Sequence, residues 1–517
     1  MNLTLSQLAA RHNAVWLALI LYLGVWTLSH VISDANLDPY GDMLENFAWS
    51  QVFTWGTDKH PPLIAWVTGL WFTLFPQTDA AYHLLAYLNG AVGLLGVFAL
   101  TRALGYPQLA LSSMLLLSLA LPYSTLAIKF NANTILLAVW PWLVWAWIRG
   151  MQAQGGRKLL LCLLFGVLSA LALLAKYYSG VLLLGIGLAT LATGEGRRWL
   201  KSRQPVIALA ACLGVLAPHL VWLNDNDFAS FDYVLAQQGS GVNWGQVIKF
   251  AAAPFSYWLL PWLVVTWITL PGPSLLARLQ QWPGNMLRSW KPENDLLTWL
   301  ALAPWLLTVL IGITGFVELS MPWAIPIGFL FLPFWLRNLP RGNLHRWAPR
   351  VFCVWLGLVL ILSPVYAWQQ ARGGNENFYR PRAEAAQTLL ALWAERYPDD
   401  VPGWVGGTWP ENGLVAFYGD ASVRILPGFP DQFPATVIPH RAWAAQPGLV
   451  LCPRGQPDKP RPGSCDDEAN AWFARQGVVP SVIEFSVQKR GFRHPLNRPF
   501  AYRAYVFRPA DVCCKAE

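Results

Sequence analysis

The chain has few charged residues. Of its 517 residues only 13% are Asp, Glu, Lys or Arg, whereas about a quarter of the residues are charged in an average soluble protein. Hydrophobic residues make up 55% of the sequence. This composition excludes an ordinary soluble protein and indicates a protein of the lipid bilayer.

Two kinds of motif are absent as well. The sequence contains no glycine-rich phosphate loop and no dinucleotide-binding fingerprint, so nothing in it points to a nucleotide ligand. It also contains no pair of cysteines at C-x-x-C spacing, which argues against a structural zinc site.

The cysteines of the C-terminal region raise a different expectation. Cys452 and Cys465 flank a short polar stretch, and a disulfide between them is expected if this region lies outside the cytoplasm. Cys513 and Cys514 are adjacent and nearly terminal, and the sequence assigns them no role.

Long apolar runs recur along the first 370 residues. Most of them are close to the roughly 20 residues that a helix needs to cross a bilayer. About eleven transmembrane helices are therefore predicted, at residues 14–32, 81–103, 107–126, 132–149, 158–174, 178–194, 205–223, 250–271, 295–315, 320–337 and 350–368.

Lys and Arg residues are unevenly divided between alternate loops. One set of loops holds most of them, whereas the other set holds only Lys59, Lys129, Lys176 and Lys249. By the positive-inside rule the first set is cytoplasmic, so the loop with Lys59 and the C-terminal region lie on the opposite side. This topology explains the formal net charge of +9, and the dispersal of the basic residues argues against a nucleic-acid partner.

The composition becomes polar and rich in Pro and Gly from about residue 369. Two domains are predicted: a transmembrane domain at 1–368 and a small soluble α/β domain at 369–517, outside the cytoplasm. The second should contain a helix at 380–397, strands within 413–418, 422–426, 448–452 and 478–485, and a loop between the two cysteines at 452 and 465.

Ionisable residues gather in the loop after the first span. Asp38, which precedes a proline, is a helix-start signal. In the helix that follows, the spacing of Asp42, Glu45, Asn46 and Trp49 places them on one face. This face either carries chemistry or simply points its acids into water. A second apolar run, after Pro61 and Pro62, is too short to span and is predicted to lie at the membrane interface.

Other loops on the same side carry isolated polar groups. Lys176 stands in an apolar turn, where it needs an anionic partner, loses its proton or extends to the lipid headgroups. Asn131 and Asn133 lie between the third and fourth spans, and Glu318 and Trp323 lie before the tenth. Each alone fits a helix cap. Together they predict a site for a lipid-linked phosphate.

Four stretches resemble a known family. "DMLENFAWSQVFTWGTDKHPPLIAW" resembles the first extracytoplasmic loop of bacterial family 39-type, or PMT_2-type, glycosyltransferases of the GT-C class. "FNANTILLAVWPW", "LLAKYYSGVLL" and "PHLVWLNDNDFASF" follow in the family's order, so the resemblance covers roughly residues 10–340. The family includes protein O-mannosyltransferases and the aminoarabinose transferase of lipid A. It implies a GT-C-like fold in the bacterial inner membrane, with the active site facing the periplasm.

The resemblance also implies roles for individual residues. Asp42 matches the general base or acceptor-orienting Asp, and Glu45 beside it is the second residue expected to be catalytic. Lys176 and His60 match groups that contact the donor phosphate. The other residues expected at the site are Lys59 and Tyr177 for the phosphate, and Asn131, Asn133, Trp49, Glu318 and Trp323 for the substrates.

Two positions depart from the family. Many relatives have an Asp where this chain has Asn133, and some have an acid where it has Lys59. The role of Asn133 as acid, base or metal ligand is therefore in doubt. A divalent cation stays open without being indicated, no metal ligand is assigned and no cofactor is certain.

The resemblance implies a transferase that moves a hexosyl or pentosyl group from a polyprenyl phosphate, such as undecaprenyl phosphate, to a lipid, glycan or protein acceptor of the cell envelope. Single displacement would invert the anomeric centre, with a carboxylate taking the acceptor proton. Two alternatives stay open. A transporter or flippase of lipid-linked sugars would carry ionisable groups near the midplane of its spans. The second alternative is a catalytically inactive relative that binds lipid, which would explain an amide, Asn133, where many relatives have an acid.

Overall fold

The computed structural model describes residues 5–33, 36–38, 41–231, 241–288, 295–373, 380–426, 428–430, 443–456, 459–460, 464–489 and 499–509. The chain divides into two compact units that alternate along the sequence. The first consists of Met1–Thr27, Thr54–Ile64 and Leu84–Leu360, and the second of Leu28–Phe53, Ala65–His83 and Ile361–Glu517.

Helices dominate the chain up to residue 373. They are α1 (Leu5–Ser33), α2 (Asp42–Ser50), α3 (Leu63–Leu74), α4 (Asp79–Ala103), α5 (Ala110–Leu117), α6 (Leu136–Gln152), α7 (Gly155–Ala175), α8 (Gly180–Ala192), α9 (Gly194–Leu200), α10 (Gln204–Asp225), α11 (Trp244–Tyr257), α12 (Leu259–Thr269), α13 (Leu275–Leu279), α14 (Trp282–Arg288), α15 (Leu296–Ile313), α16 (Phe331–Asn338) and α17 (Leu344–Gly373).

The described residues contain six helices long and apolar enough to cross a membrane. These are Asn13–Ser33 of α1, then α4, α7, α10, α15 and Leu344–Gln370 of α17. Two bent pairs raise the number to eight if each pair is one span: Tyr177–Ala192 with α9, bent by 105°, and α11 with α12, bent by 47°. The polytopic helical architecture is confirmed, whereas the predicted count of eleven spans is not.

Prolines account for part of the difference. The run at 107–126 contains only the short helix α5, followed by a 3₁₀ turn that includes Pro122. The run at 320–337 is divided into two 3₁₀ turns and α16, with Pro322 and Pro326 in or before the turns. Proline removes a backbone donor and clashes with the preceding helical turn, so an apolar run that contains it need not form one continuous helix.

Within the first unit, α7 packs closely on α10. A Cβ added to Gly166 of α7 would lie 2.2 Å from the carbonyl oxygen of Ala208 on α10. Small residues at such a contact let helix backbones approach each other in a membrane, where burial of apolar side chains gives little driving force. Lys176 directly follows α7 and His219 lies in α10, so these two packed helices both carry residues of the candidate site.

The C-terminal part of the second unit is an α/β domain, as predicted. Its helices are α18 (Arg382–Arg396), α19 (Leu414–Tyr418) and α20 (Ser464–Arg475). Its strands are β1 (Trp404–Gly406), β2 (Arg424–Ile425), β3 (Gly448–Gln456), β4 (Lys459–Pro460), β5 (Ser481–Val487) and β6 (Phe500–Phe507). They form one sheet of order β2-β1-β3-β6-β5, with β4 paired to β3. The pairs of β1 with β2 and β3 are parallel, and the other pairs are antiparallel.

Two predictions for this domain are wrong. Residues 414–418 form α19 and not a strand, because all but the last of these apolar side chains are buried together in one helical turn and the stretch is too short for its period to be read from sequence. The stretch between the two cysteines is not only loop, since β3 continues to Gln456 and pairs with β4. The predicted disulfide between Cys452 and Cys465 is present and joins β3 to α20. Cys513 and Cys514 lie outside the described residues.

The second unit also contains helices of the first loop. Phe47 of α2 packs edge-to-face against Phe417 of α19, with ring centroids 5.2 Å apart. Gln51 donates a hydrogen bond to the carbonyl oxygen of Val423 at 2.7 Å and accepts one from the amide of Ile425 at 3.1 Å. The unit boundary near residue 360 thus lies close to the boundary predicted at 368, but parts of the first loop pack with the C-terminal domain.

Candidate active site

Asp38 caps the helix that carries the predicted catalytic acids. Its carboxylate accepts hydrogen bonds from the amides of Asp42, at 3.1 Å, and Met43, at 2.8 Å. The predicted capping role is confirmed, although the helix begins four residues further on, after Gly41 in a left-handed conformation with φ of 85°. Burial, with the charge of Asp42 adding to it, raises the pKa of the Asp38 carboxyl.

Three of the four residues predicted to share one face of α2 lie on one side of this helix. Asp42, Glu45 and Trp49 are half-buried and lie along one side of the helix, as expected at 100° per residue. Asn46 lies at the edge of that side and is only 2% exposed. The structure therefore presents two carboxylates and an indole on this side and turns the amide inward.

Lys176 meets residues from two other loops in the first unit. Its ammonium donates a hydrogen bond to Oδ1 of Asn133 at 2.5 Å, and Nζ lies 5.4 Å from the centre of the Trp323 ring. Lys176 directly follows α7, Asn133 precedes α6, and Trp323 lies in the 3₁₀ turn Met321–Ala324. The convergence of these loops, predicted from the sequence, is thus seen for three of the polar residues.

Asn131 and Glu318 have other partners. Oδ1 of Asn131 accepts hydrogen bonds from the amides of Asn133, at 3.0 Å, and Thr134, at 3.2 Å, which is a turn-stabilising pattern. Asn131 therefore shapes the turn that presents Asn133. Glu318 accepts a hydrogen bond from the side chain of Asn243 at 2.8 Å, just before α11.

His60 lies in a tight loop held by Thr57. The hydroxyl of Thr57 donates to the carbonyl oxygen of His60 at 2.7 Å, and the amide of His60 donates back to that hydroxyl at 3.0 Å. Burial, followed by the positive charges of Lys176 and Lys59, lowers the pKa of His60 well below its usual value. The imidazole is therefore neutral at pH 7, and the positive charge near His60 comes from Lys176 and Lys59.

His219 was not singled out in the sequence, yet it joins two parts of the site. Its Nδ1 lies 2.5 Å from the carbonyl oxygen of Trp55, and its Nε2 lies 2.8 Å from the hydroxyl of Tyr177. A carbonyl oxygen can only accept, so Nδ1 carries the proton and Nε2 accepts from Tyr177. His219 therefore links the turn after Lys176 to the loop that leads to His60.

Tyr177 acts within this link. Its hydroxyl is bonded to His219, and its ring stacks on Phe231 with centroids 4.9 Å apart. Gly56, next to Trp55, lies so close to Trp222 that an added Cβ would be 2.1 Å from the indole. The sequence feature that could have identified His219 is its position in the apolar stretch "PHLVW", shortly before the acidic segment "NDND".

The chemistry of the Lys176 cluster suits an anion better than a cation. Lys176 and Lys59 supply positive charge, and Asn133 and Trp323 supply an amide and an aromatic face. Within the described ranges, no group of three His, Cys, Asp or Glu side chains is arranged to hold a metal ion.

Comparison with known proteins gives a family match for one segment of the chain and a similar fold over nearly all of it. Residues 59–222 match the sequence model of dolichyl-phosphate-mannose-protein mannosyltransferases, whereas no curated protein sequence matches the chain. The fold is similar to ArnT from Cupriavidus metallidurans bound to undecaprenyl phosphate, with a TM-score of 0.59 and 16% identity over 95% of this chain and 98% of the other. The same protein in the apo state gives a TM-score of 0.58 and 17% identity, over 97% and 99% of the two chains.

The matched segment contains His60, Asn133, Lys176 and His219. The segment match and the similar fold agree with the resemblance to GT-C glycosyltransferases found in the sequence, and the family model covers residues 59–222 of the chain. Within that class it resembles the family 39-type enzymes, with ArnT as the structural counterpart. The alternative of a transporter or flippase is not favoured.

Proposed function

We propose that this enzyme transfers a sugar from undecaprenyl phosphate, or a close polyprenyl relative, to an acceptor at the periplasmic face of the bacterial inner membrane. The observation that carries the proposal is the cationic cluster at Lys176, whose ammonium is held by Asn133 and the Trp323 ring, with the charge of Lys59 acting on the same neutral His60. Such a cluster fits the doubly charged phosphate that is released as the glycosidic bond breaks. The counterpart ArnT, which was crystallised with undecaprenyl phosphate, has the same fold over nearly the whole chain.

Lys176 is assigned to the leaving phosphate. Its ammonium is already directed by Asn133 and the Trp323 ring, so little side-chain freedom would be lost when the donor binds. A cation held in place where negative charge develops stabilises the transition state without reorganisation. His60 becomes a better donor in the same step, because a bound phosphate opposes the effect of the two lysines and favours the protonated imidazole.

Asp42 is assigned to the acceptor. A carboxylate that takes the proton of the attacking hydroxyl increases its nucleophilicity towards the anomeric carbon. Asp42 belongs to the second unit and Lys176 to the first, so their cooperation rests on the resemblance to the family and on the chemistry of each group. Glu45 and Trp49, on the same side of α2 as Asp42, are assigned to binding of the acceptor.

The reaction is a single displacement that inverts the anomeric centre. The acceptor oxygen forms the new bond, the phosphate oxygen leaves with the bonding electrons, and the acceptor proton passes to Asp42. The transferred group is a hexose or pentose, and the acceptor is a glycolipid, a glycan or a protein. The C-terminal α/β domain, on the periplasmic side in this proposal, packs with the α2 region and so is placed to select the acceptor.

The test is transfer of a radiolabelled sugar from polyprenyl phosphate by the purified protein in proteoliposomes. Asp42→Asn removes the proton acceptor with little change in volume, and Lys176→Ala removes the cation. Asp42→Asn should lose at least about a hundredfold in rate, since general-base catalysis contributes 10² or more. Lys176→Ala should lose about 10- to 150-fold, because a charge-assisted hydrogen bond is worth about 1.5–3 kcal/mol. Transfer at the parental rate by both variants would refute the assigned site. Asp420→Asn, at a half-buried acid that accepts hydrogen bonds from Ser422 in a turn of the C-terminal domain, is the matched control for loss of a carboxylate.

A further inference from the structure

Three arginines surround one cavity of the first unit, away from Lys176. The cavity has a volume of about 520 Å³ and is lined by Arg102, Arg149 and Arg157 together with Phe98, Trp142 and Trp145. We call it the arginine cavity. Val15 and Trp16 of α1 line it as well. Its size is in the range of small-molecule binding sites.

The three arginines come from three helix ends. Arg102 is in the last turn of α4, Arg149 in the last turn of α6 and Arg157 in the first turn of α7. Lys176 follows the other end of α7. At a rise of 1.5 Å per residue, the helix separates Arg157 from Lys176 by about 30 Å, the thickness of a bilayer core. The arginine cavity therefore lies at the opposite membrane surface from Lys176.

Within the described part of the chain, no carboxylate neutralises the positive charge of the cavity. Among the described residues, no carboxylate lies within ion-pair distance of the three guanidinium groups. Arg149 donates one hydrogen bond, to Gln152 at 3.0 Å, and Arg102 lies over the Phe98 ring. Guanidinium groups have five N–H donors each, so most donors of this cluster are directed at something other than the protein.

The aromatic side of the cavity is typical of a membrane interface. Trp142 and Trp145 meet edge-to-face with centroids 5.4 Å apart, and the Trp142 indole donates to the carbonyl oxygen of Val92 at 3.0 Å. Tryptophan is enriched where the hydrocarbon core meets the headgroups. Trp16 is 55% exposed on a helix long and apolar enough to cross a membrane, so this side of the cavity is open to the surrounding bilayer.

We propose that the arginine cavity binds the phosphate headgroup of an anionic phospholipid of the surrounding bilayer. Arginine is the side chain best suited to phosphate because its planar fork donates two parallel hydrogen bonds. Topology alone requires basic residues in the loops on this side, but it does not require three of them to share a cavity with a tryptophan pair. Basic pockets between transmembrane helices are a known mode of lipid-headgroup binding.

The test compares lipids on the purified full-length protein. The protein is placed in nanodiscs of phosphatidylcholine with an increasing fraction of phosphatidylglycerol. Its Tm is measured, and the lipids that it retains are identified by native mass spectrometry. Arg102→Gln/Arg149→Gln/Arg157→Gln removes the cavity charges. Arg198→Gln/Lys201→Gln/Arg203→Gln removes three charges from the segment between α8 and α10 and is the matched control.

Phosphatidylglycerol should raise the Tm of the parent and of the control but not of the cavity variant. The affinity for phosphatidylglycerol should fall about a hundredfold in the cavity variant, because each basic residue near an anionic lipid surface contributes about fivefold. An equal loss in the control would show general surface attraction and overturn the proposal. If inorganic phosphate alone stabilises the parent as much as phosphatidylglycerol does, the cavity binds a soluble anion and the proposal is overturned.

A fold defect is distinguished by the same experiment. If the triple variant has a lower Tm than the parent in pure phosphatidylcholine, Arg157→Gln alone replaces it, since Arg157 is exposed at the start of α7. The single variant should retain about one fifth of the parental affinity for phosphatidylglycerol. Unchanged affinity in the single variant would refute the proposal.

Discussion

His219 is predicted to hold two phosphate-contacting segments in register. It bonds the carbonyl oxygen of Trp55, at the start of the loop that carries Lys59 and His60, and the hydroxyl of Tyr177, next to Lys176. His219→Phe keeps the aromatic ring but removes both hydrogen bonds. We expect this variant to bind the donor more weakly while Asp42 and its helix are unaffected.

The magnitude follows from the two bonds that are lost. Each contributes about 0.5–1.5 kcal/mol, and a buried partner that is left unsatisfied costs about 1–3 kcal/mol. Tyr177 is half-buried, so its hydroxyl can partly recover a bond to water. A total loss of about 2–4 kcal/mol in the free energy of unfolding is expected. If part of this free energy is lost from donor binding, the KM for the donor rises about tenfold for each 1.4 kcal/mol.

The assay separates positioning from stability. His219→Asn keeps a donor near the position of Nδ1, for Trp55, and His219→Gln keeps an acceptor near the position of Nε2, for Tyr177. Rates of sugar transfer at varied donor concentration give kcat and KM for each variant, and thermal unfolding gives Tm. We expect KM to rise in the order Asn or Gln, then Phe, with a smaller change in kcat.

A purely structural role would give a different pattern. In that case Tm would fall in the Phe variant while the KM for the donor, measured well below the Tm, would stay at the parental value. That result would refute the positioning role of His219. An unchanged Tm together with an unchanged KM would refute the two hydrogen bonds themselves.

Three further predictions concern single groups. Lys176→Gln should reduce kcat/KM for the donor by about 10- to 150-fold, because a charge-assisted hydrogen bond is worth about 1.5–3 kcal/mol; Lys249→Gln, at an exposed lysine of α11, is the control, and an equal loss in both would contradict the assignment. The lowered pKa of His60 means that the unfolded chain takes up a proton below about pH 6.5 and the folded chain does not. Stability should therefore fall with decreasing pH from about 6.5, by up to about 1.4 kcal/mol per pH unit from this group; thermal unfolding of His60→Gln should show a shallower pH dependence, and an identical slope would contradict the shift. Asp38→Ala removes the acceptor for two amides at the start of α2 and should lower the free energy of unfolding by about 1–2 kcal/mol, with a smaller loss in Asp38→Asn; an unchanged Tm in the Ala variant would refute the cap.

Much of the fold could be predicted because hydrophobicity and helix signals are local. The spans around α4, α7, α10 and α17 follow directly from runs of about 20 apolar residues. Asp38 could be identified as a cap because the capping residue and the helix are neighbours in sequence. The run at 320–337, predicted as one span, is not one continuous helix, because its prolines divide it into two 3₁₀ turns and a short helix.

The sequence predicts which residues belong to the candidate site but not which contacts they make with each other. Lys176 and Asn133 were both selected from the sequence, yet their direct contact depends on the packing of α6 and α7. The low pKa of His60 follows from burial and then from the charge of Lys176, which is distant in the sequence. His219 was missed because a lone histidine in an apolar helix gives no sign of its partners, and the tautomer that links Trp55 to Tyr177 follows only from their positions.

The central claim is that the chain cleaves a polyprenyl-phosphate-linked sugar with Asp42 as the base and Lys176 at the phosphate. The most direct measurement is transfer of radiolabelled sugar from polyprenyl phosphate by the parent and by Asp42→Asn in the same proteoliposomes. The proposed mechanism predicts transfer by the parent and at least about a hundredfold slower transfer by the variant, with parental Tm. Transfer at the same rate by both would contradict it.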